Sequence, residues 1–229
     1  MEVITEKPDV MEIGKSGTYR EDWNERAKVL GAEEAAAFGK ASYPIFADYF
    51  AYTVARRLKS LLSLNKRDRV LDIGCGPCRV TKYVAEWVSK INAVDVSDEM
   101  LKVASALVPQ NVELLQCNGK DLSVMGDECV DVAYSYAVFI HIPKEVQVSY
   151  IKEAMRILRP GGTLLLHVRF NQEFEHYHPT FSGVSFTNEY VDEVRKFDEV
   201  DSVEVTELER WDDVCIDTNT RRWLRIKKL

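Results

Sequence analysis

The residues best suited to chemistry are Val70 to Gly76, which read V-L-D-I-G-C-G. An apolar run that contains the acid Asp72 leads into two glycines at alternate positions, Gly74 and Gly76. A helix-favouring stretch from Arg79 to Val88 follows directly. A buried strand, a glycine turn and a helix in this order let a cofactor lie against bare backbone at a helix N-terminus. The pattern therefore predicts a cofactor site, and the residues around it must decide which cofactor.

Two further polar residues follow predicted strands at the same edge of the sheet. Ligands of an open α/β sheet bind at the carboxyl ends of its strands. Asp95 closes the second predicted strand, 21 positions after Gly74, close to the offset of about 20 residues at which an acid binds ribose hydroxyls. Asn118 follows the third predicted strand and is placed to contact the edge of a base. Together they indicate a nucleoside.

The spacing of the glycines distinguishes between classes of nucleotide cofactor. A dinucleotide-binding turn needs a third glycine three positions after the second, and Arg79 occupies that position. The sequence also lacks the G-K-[ST] of a phosphate-binding loop. A pyrophosphate site is therefore disfavoured, which makes a nucleotide-dependent oxidoreductase the weaker alternative.

Strand and helix patterns alternate after the first third of the chain. The predicted strands are 69–73, 91–95, 112–116, 130–135, 162–168, 202–209 and 222–228. The predicted helices between them are 79–88, 98–106, 145–158 and 187–196. The alternation is typical of a doubly wound parallel sheet, and the last two strands, with no helix between them, should pair antiparallel. We predict an α/β fold, a Rossmann-like seven-stranded mixed sheet with an antiparallel C-terminal hairpin.

The region before the first strand favours helices. Residues 18–40 are rich in helix-forming residues, and residues 44–63 carry an amphipathic stripe. We therefore divide the chain into an N-terminal helical extension, 1–65, and a ligand-binding domain, 66–229.

Composition limits the class of protein. The 229 residues, 46% hydrophobic and 29% charged, are typical of a folded globular domain with an extension. No apolar run reaches the length of about 18 residues that a membrane-spanning helix needs. The charged N-terminal stretch has no signal-peptide core. We expect a cytoplasmic protein with no membrane partner.

Charge argues against a nucleic-acid partner. The net charge is −7, whereas proteins that bind phosphate backbones are usually basic. The C-terminal stretch T-R-R-W-L-R-I-K-K-L is a local exception with five basic residues. It could bind anions, but we favour a charged edge strand that resists edge-to-edge pairing.

The cysteines and histidines do not predict a metal site. Cys75 and Cys78 form a C-x-x-C, but no second C-x-x-C or spaced histidine pair completes a zinc site. Their small side chains more simply fill space around a bound ligand. His176 and His178 fit no strong metal-binding pattern.

Four segments in order resemble the motifs of class I S-adenosylmethionine-dependent methyltransferases. They read V-L-D-I-G-C-G-P, V-D-V-S-D-E-M-L-K-V-A, D-V-A-Y-S-Y-A-V-F-I-H-I and L-R-P-G-G-T-L-L-L. The chain is most similar to the branch that acts on small molecules, of type 11 or 25. The resemblance covers roughly residues 66–170 and implies S-adenosyl-L-methionine as the cofactor.

The resemblance also implies which residues bind the cofactor. The expected set is Asp72, Gly74, Cys75, Gly76, Asp95, Val96, Met100, Asn118, Gly119 and Ser135, with Tyr19 and Trp23 closing over it. The glycines would admit the methionine part, whose ammonium group would meet Asp72 and the Ser135 carbonyl. Asp95 would bind the ribose. Val96 and Met100 would flank the adenine, whose edge would meet Asn118 and Gly119.

Two positions depart from the family pattern. Cys78 stands where relatives often carry a third glycine, and Asn118 replaces an acid, which should weaken adenine recognition. Structural alternatives also remain, because Asp95 could instead cap the following helix and Met100 could belong to the core.

The resemblance implies chemistry that asks little of the protein beyond alignment and exclusion of water. Tyr136 would line the methyl-transfer site. His141 would be a base or a substrate contact, and a base is needed only if the acceptor must lose a proton. His167 could equally be a buried structural histidine.

The acceptor pocket is expected between the N-terminal helices and the segment after the fifth strand. The implied lining residues are Tyr19, Trp23, Tyr43, Phe46, Phe50, Arg169, Phe170, His176 and Tyr177. The sequence lacks the signatures for amino groups in nucleic acids, for cytosine C5 and for protein arginine. We therefore expect a small organic acceptor, attacked at oxygen or nitrogen. A non-catalytic scaffold that binds the cofactor stays open as an alternative, as does the oligomeric state.

Overall fold

The structure is a computed structural model that describes residues 19–31, 44–171, 185–206 and 221–229. Its helices are α1 (Tyr19–Leu30), α2 (Pro44–Leu62), α3 (Thr81–Val84), α4 (Asp98–Ala104), α5 (Lys144–Ile157) and α6 (Asn188–Val194). A 3₁₀ turn, Ala85–Trp87, follows α3. Its strands are β1 (Arg69–Ile73), β2 (Lys90–Asp95), β3 (Val112–Gln116), β4 (Val130–Ser135), β5 (Leu158–Arg169), β6 (Val200–Val205) and β7 (Arg221–Lys228).

Within these residues, seven strands form one sheet in the order β3-β2-β1-β4-β5-β7-β6. The first five run parallel, and β7 pairs antiparallel with both β5 and β6. The predicted α/β Rossmann-like mixed sheet with a C-terminal hairpin is confirmed. Strand order reverses between β1 and β4, which opens a crevice at their carboxyl ends where such sheets bind ligands.

Helices cover both faces of the sheet, so the central strands β1, β2 and β4 are mostly buried. One core cluster joins α5 and α6 to the sheet, with Ile151 and Val191 buried in it. A second joins α2 to the opposite face, where Leu58 is buried with Val70 and Trp223. Burying a side chain such as Leu58 contributes about 2 kcal/mol. These two layers hold the strand ends in a fixed arrangement.

The two helices of the N-terminal extension pack on different parts of the domain. Asp48 of α2 accepts hydrogen bonds from Lys82 Nζ and the Tyr83 hydroxyl, both at 2.6 Å. In α1, Asn24 accepts from Ser97 Oγ at 2.6 Å, and Arg20 donates to the Cys117 carbonyl at 3.3 Å. Helix α1 therefore lies across the carboxyl ends of β2 and β3. The division at residue 65 remains a proposal, since α2 shares a core with the sheet.

The basic C-terminal segment is not the edge strand that we predicted. β7 lies between β5 and β6, and β6 forms the edge. The prediction was wrong because an alternation of buried and charged residues is not restricted to edge strands. It also occurs in an interior antiparallel strand when the basic side chains have hydrogen-bond partners. Arg225 Nη1 donates to Glu204 of β6 at 2.9 Å, and Lys228 Nζ donates to the Leu158 carbonyl at 2.8 Å.

Smaller differences concern element boundaries. β5 begins at Leu158 rather than at residue 162, and Gly161 in it has a φ of +77° that bends the strand. The helix predicted over 79–88 is α-helical only from Thr81 to Val84. β6 ends at Val205, and residues 207–209 of the predicted strand lie outside the described residues. In the described part of the chain, no helix is both long and apolar enough to cross a membrane.

Candidate active site

The glycine turn after β1 is fixed by β2. The backbone N–H groups of Gly74 and Cys75 both donate to the Val94 carbonyl, at 2.8 and 3.0 Å. Gly74 has a φ of +76°, and a Cβ added there would lie 2.3 Å from Val138 Cγ2. On that side, therefore, Gly74 makes room for Val138, which follows β4, rather than for a ligand. The turn and the β4 loop are packed against each other.

Asp95 ties the end of β2 to this turn. Its Oδ2 accepts from the Gly76 N–H at 2.8 Å, and its Oδ1 accepts from the Ser97 N–H at 2.9 Å. Ser97, not Asp95, caps α4, because its side chain accepts from the Met100 N–H. The alternative role of Asp95 as a helix cap is therefore wrong. Burial raises the pKa of Asp95, and the backbone N–H groups oppose that rise.

Asp72, within β1, is a second buried acid in the same crevice. Only 3% of it is exposed. The hydroxyls of Thr81 and Tyr134 both donate to its Oδ2 at 2.6 Å, which leaves Oδ1 for another donor. Burial raises the pKa of Asp72 to about 6, against the effect of the two hydroxyls and with a further contribution from Asp95.

The two carboxylates fit a cationic ligand that also carries hydroxyl groups. No basic side chain of the described residues is among the groups that shift the pKa of Asp72 or of Asp95. Each carboxylate oxygen offers two acceptor positions, so Asp95 can still accept from hydroxyls. A positive charge at Asp72 would offset the cost of burying its anion.

The expected adenine-binding residues divide into two groups. Val96 and Gly119 face each other, since a Cβ added at Gly119 would lie 3.0 Å from Val96 Cγ2. Met100 is buried in a small cluster with Ala27 and Trp23, as its structural alternative predicts. Asn118 is exposed and bonded locally: its Oδ1 accepts from Lys120 N–H at 2.7 Å, and its Nδ2 donates to Asp121 at 2.9 Å.

The two cysteines of the turn differ in role. Cys78 is fully buried and has a φ of +60°, in the left-handed region that favours glycine. A glycine at this position would therefore adopt the same conformation without strain. Cys75 is half-buried, and its pKa is raised well above the usual value, chiefly by the Cys78 thiol and by burial. Both side chains fill the turn. In the described residues, no three histidines, cysteines or acids group in a way that could hold a metal ion.

An aromatic wall follows the end of β4. Ser135 is buried, and its hydroxyl donates to the Ile73 carbonyl at 2.8 Å. The ring of Tyr136 stacks on the rings of His167 of β5 and Trp223 of β7, with centroid-to-centroid distances of 4.7 and 5.9 Å. The ring centroid of Phe50 of α2 lies 6.4 Å from that of Tyr136. The predicted site residue Tyr136 is thus part of a wall formed by three strands and one helix.

His141 lies beyond this wall, between α1 and the end of the sheet. Its ring meets the Trp23 ring edge-on, with the ring centroids 5.6 Å apart. The guanidinium of Arg26 lies over the same Trp23 ring, 5.5 Å from its centroid. Burial lowers the pKa of His141 to about 3, and Arg169, Arg221 and Arg26 lower it further. His141 is therefore neutral at pH 7 and is surrounded by positive charge.

Several residues expected at the acceptor pocket cannot be placed. Tyr43, His176 and Tyr177 lie outside the described residues, and so do the side chains of Tyr19 and Phe46. Phe170, which follows β5, is partly buried and pairs with Phe186.

Two arginines and two hydroxyls were missed from the sequence. Arg26 of α1 and Arg221 of β7 are far apart in the chain, and the structure brings both close enough to His141 to lower its pKa. The Thr81 and Tyr134 hydroxyls carry no motif, although Tyr134 lies within the segment that resembles the family.

The glycine turn, the two acids and the crevice form a candidate ligand site at the carboxyl ends of the strands of a Rossmann-like sheet. Residues 71–166 match the family model described as a methyltransferase domain. The resemblance to class I S-adenosylmethionine-dependent methyltransferases is therefore confirmed for this part of the chain.

Curated relatives match part of the chain. Trans-aconitate 2-methyltransferase from Rhizobium rhizogenes is 31% identical over 120 residues, which are 51% of this chain and 44% of that protein. Malonyl-[acyl-carrier protein] O-methyltransferase from Pectobacterium atrosepticum is 31% identical over 135 residues, 57% of this chain and 50% of that protein. The chain therefore matches about half the length of these relatives.

A solved structure shows the same fold over most of the chain. Phosphoethanolamine N-methyltransferase 2 of Haemonchus contortus, in complex with phosphomonomethylethanolamine and S-adenosylhomocysteine, aligns with a TM-score of 0.68 at 16% identity. The alignment covers 93% of this chain and 60% of that one.

Proposed function

We propose that the protein is an S-adenosylmethionine-dependent methyltransferase that acts on oxygen or nitrogen of a small organic acceptor. The observation that carries the proposal is the pair of buried acids, Asp72 and Asp95, on the glycine turn of a methyltransferase domain. A cofactor with a ribose and an amino acid part that carries an ammonium group satisfies both acids. When bound, it supplies an electrophilic methyl group on its sulfonium.

The residues of the chain would hold that cofactor in two ways. Asp72 Oδ1 would accept from the ammonium group, together with the Ser135 carbonyl. Asp95 would accept from the ribose hydroxyls while keeping its bonds to the turn. Val96 and Gly119 would contact the adenine, and α1 would cover this end through Trp23.

The acceptor side would align the substrate and exclude water. Tyr136 would line the methyl-transfer position as part of the aromatic wall. A general base works best when its pKa is near the working pH, and the pKa of His141 is about 3. We therefore assign His141 as a neutral substrate contact rather than a base.

The names of the curated relatives support an organic acceptor. One is named for trans-aconitate and the other for transfer to oxygen of malonyl-[acyl-carrier protein]. The net charge of −7 supports a partner other than nucleic acid.

Calorimetry with S-adenosylmethionine, S-adenosylhomocysteine and NAD tests the proposal. We expect both sulfur nucleosides to bind and NAD to bind at least about 100-fold more weakly. Asp95→Ala should abolish this binding, whereas Asp201→Ala, which removes an exposed acid of β6, should leave it unchanged. Tight NAD binding without the sulfur nucleosides would instead indicate an oxidoreductase.

Turnover distinguishes an enzyme from a scaffold. The cofactor-bound protein is incubated with a panel of organic acids, phenols and amines that includes trans-aconitate, and S-adenosylhomocysteine is measured. Release above the acceptor-free rate supports the enzyme. Cofactor binding with no release across the panel supports the non-catalytic alternative.

A further inference from the structure

We infer that the methyl acceptor is a small carboxylic acid whose carboxylate binds between Arg169 and Arg221 at the carboxyl end of β5. The inference rests on the proposed function and names the substrate class for the acceptor side of the same site.

The first argument is the pairing of β5 with β7. Arg169 and Arg221 are directly opposed in this antiparallel pair, as are His167 and Trp223 two positions along. Directly opposed residues project from the same face with Cβ atoms about 5 Å apart. Two cationic side chains that project side by side repel each other, and a carboxylate bound between them would be stabilised by both. The two oxygens of a carboxylate also match the fork geometry of guanidinium donors.

The second argument is a third arginine on the facing helix. Arg26 of α1 is buried, with 8% of it exposed, and it lies against the Trp23 ring that contacts His141. Asp22 on the same helix is the acid that acts on Arg26. All three arginines act on His141. Positive charge is thus concentrated here, in a chain whose net charge is −7.

The third argument is the surface beside the arginines. Tyr136, His167 and Trp223 form an aromatic wall on the same face. Nδ1 of His167 is buried and has no hydrogen-bond partner among the described residues, so it is available to a polar group of the acceptor. Desolvating a doubly charged phosphate group costs more than desolvating a singly charged carboxylate group. A carboxylate group is therefore favoured over a phosphate group beside this wall.

The test measures binding of acids to the protein saturated with S-adenosylhomocysteine. The probes are benzoate, succinate and glutarate, their neutral methyl esters, and inorganic phosphate, each followed by calorimetry. We expect the acids to bind at least about 10-fold more tightly than their esters. Losing a hydrogen bond to a charged group weakens binding by about 10- to 100-fold, and Arg221→Gln and Arg169→Gln should each show this loss.

Arg222→Gln provides the matched control. Arg222 is the next residue of β7, projects from the opposite face, and donates to the Arg221 carbonyl at 3.0 Å. It should leave acid binding within about 2-fold of the wild type. Arg221→Lys, which keeps the charge, should recover part of the affinity. Equal melting temperatures of the Gln variants exclude a loss of folding as the cause.

The outcomes are separable. Esters that bind as tightly as the acids, or equal losses in Arg221→Gln and Arg222→Gln, overturn the inference. Binding of phosphate without binding of any acid also overturns it. If S-adenosylhomocysteine itself does not bind, the proposed function fails, and the same probes on the free protein still test the arginine site.

Discussion

The carboxyl edge of the sheet differs from one side to the other. At β1 and β2 it carries the buried acids Asp72 and Asp95, and at β5 and β7 it carries Arg169 and Arg221. The first, which we call the cofactor end, suits the ammonium group of the proposed cofactor, and the second, the acceptor end, suits the proposed anionic acceptor. Electrostatic complementarity of this kind chiefly sets specificity and the rate of encounter. A net charge of −7 describes neither end.

The largest expected effect comes from removing the acidic character of the cofactor end. Asp72→Asn keeps an acceptor for Thr81 and Tyr134 but removes the charge, and we expect cofactor affinity to fall about 100-fold. The pKa of Asp72 is raised from 3.8 to about 6, so its anion costs about 3 kcal/mol of folding stability at pH 7. The free variant should therefore be more stable than the wild type at pH 7.

The sign of that stability difference depends on pH. Below about pH 3 Asp72 is protonated in both the folded and the unfolded chain, so the advantage of the variant should disappear. Urea unfolding at pH 7 and pH 3, with calorimetry at pH 7, checks both parts. A variant that is less stable at pH 7 and still binds the cofactor normally would contradict the assignment.

A steric change tests whether the two ends are packed together. Gly74→Ala places a Cβ 2.3 Å from Val138 Cγ2 at a φ of +76°. We expect it to lower the free energy of unfolding by about 3 kcal/mol. Val138→Ala in the same chain should recover about half, because the clash is relieved and the backbone strain remains. Gly126→Ala, with open space around it, is the neutral control. A double variant that is no more stable than Gly74→Ala would show that the turn and the β4 loop are not packed against each other.

The pH dependence of cofactor binding is a smaller effect. Because the pKa of Asp72 is about 6, its anion falls from most of the molecules at pH 7 to about a tenth at pH 5. Affinity for S-adenosylhomocysteine should fall about 10-fold over this range. The Asp72→Asn variant should bind weakly with little change over the same range. An equally steep profile in the variant would assign the titration to another group.

The smallest expected effect is that of the acceptor end on the cofactor end. Arg221→Gln should change cofactor affinity by less than about 2-fold, since distant sites without shared partners act nearly independently. Calorimetry on the variants made for the acid-binding test measures this. A large loss would show that Arg221 supports the fold of the crevice as a whole.

The cofactor end could be predicted from the sequence because it is local. The turn, Asp72 and Asp95 lie within one continuous stretch of β1, α3 and β2, where order and spacing are visible. Even there, the sequence could not show that Asn118 spends both of its polar atoms on a local turn. Nor could it show that Val138 fills the space beside Gly74.

The acceptor end could not be assembled in the same way. Its residues come from α1, the β4 loop, β5 and β7, and they meet only once strand order is known. The basic character of the last strand was visible, but its place between β5 and β6 was not. Alternation of buried and charged residues is the same for an edge strand and for an interior antiparallel strand.

The position of β7 has a consequence for biosynthesis. It is the last of the described strands to leave the ribosome, yet it separates β5 from β6. During translation, at about 5–20 residues per second, β1 to β5 can pair in succession while the outer edge of β5 stays open. Arg221 and Trp223 complete the acceptor end only when that edge is filled. The nascent chain can thus assemble the proposed cofactor end seconds before the proposed acceptor end is complete.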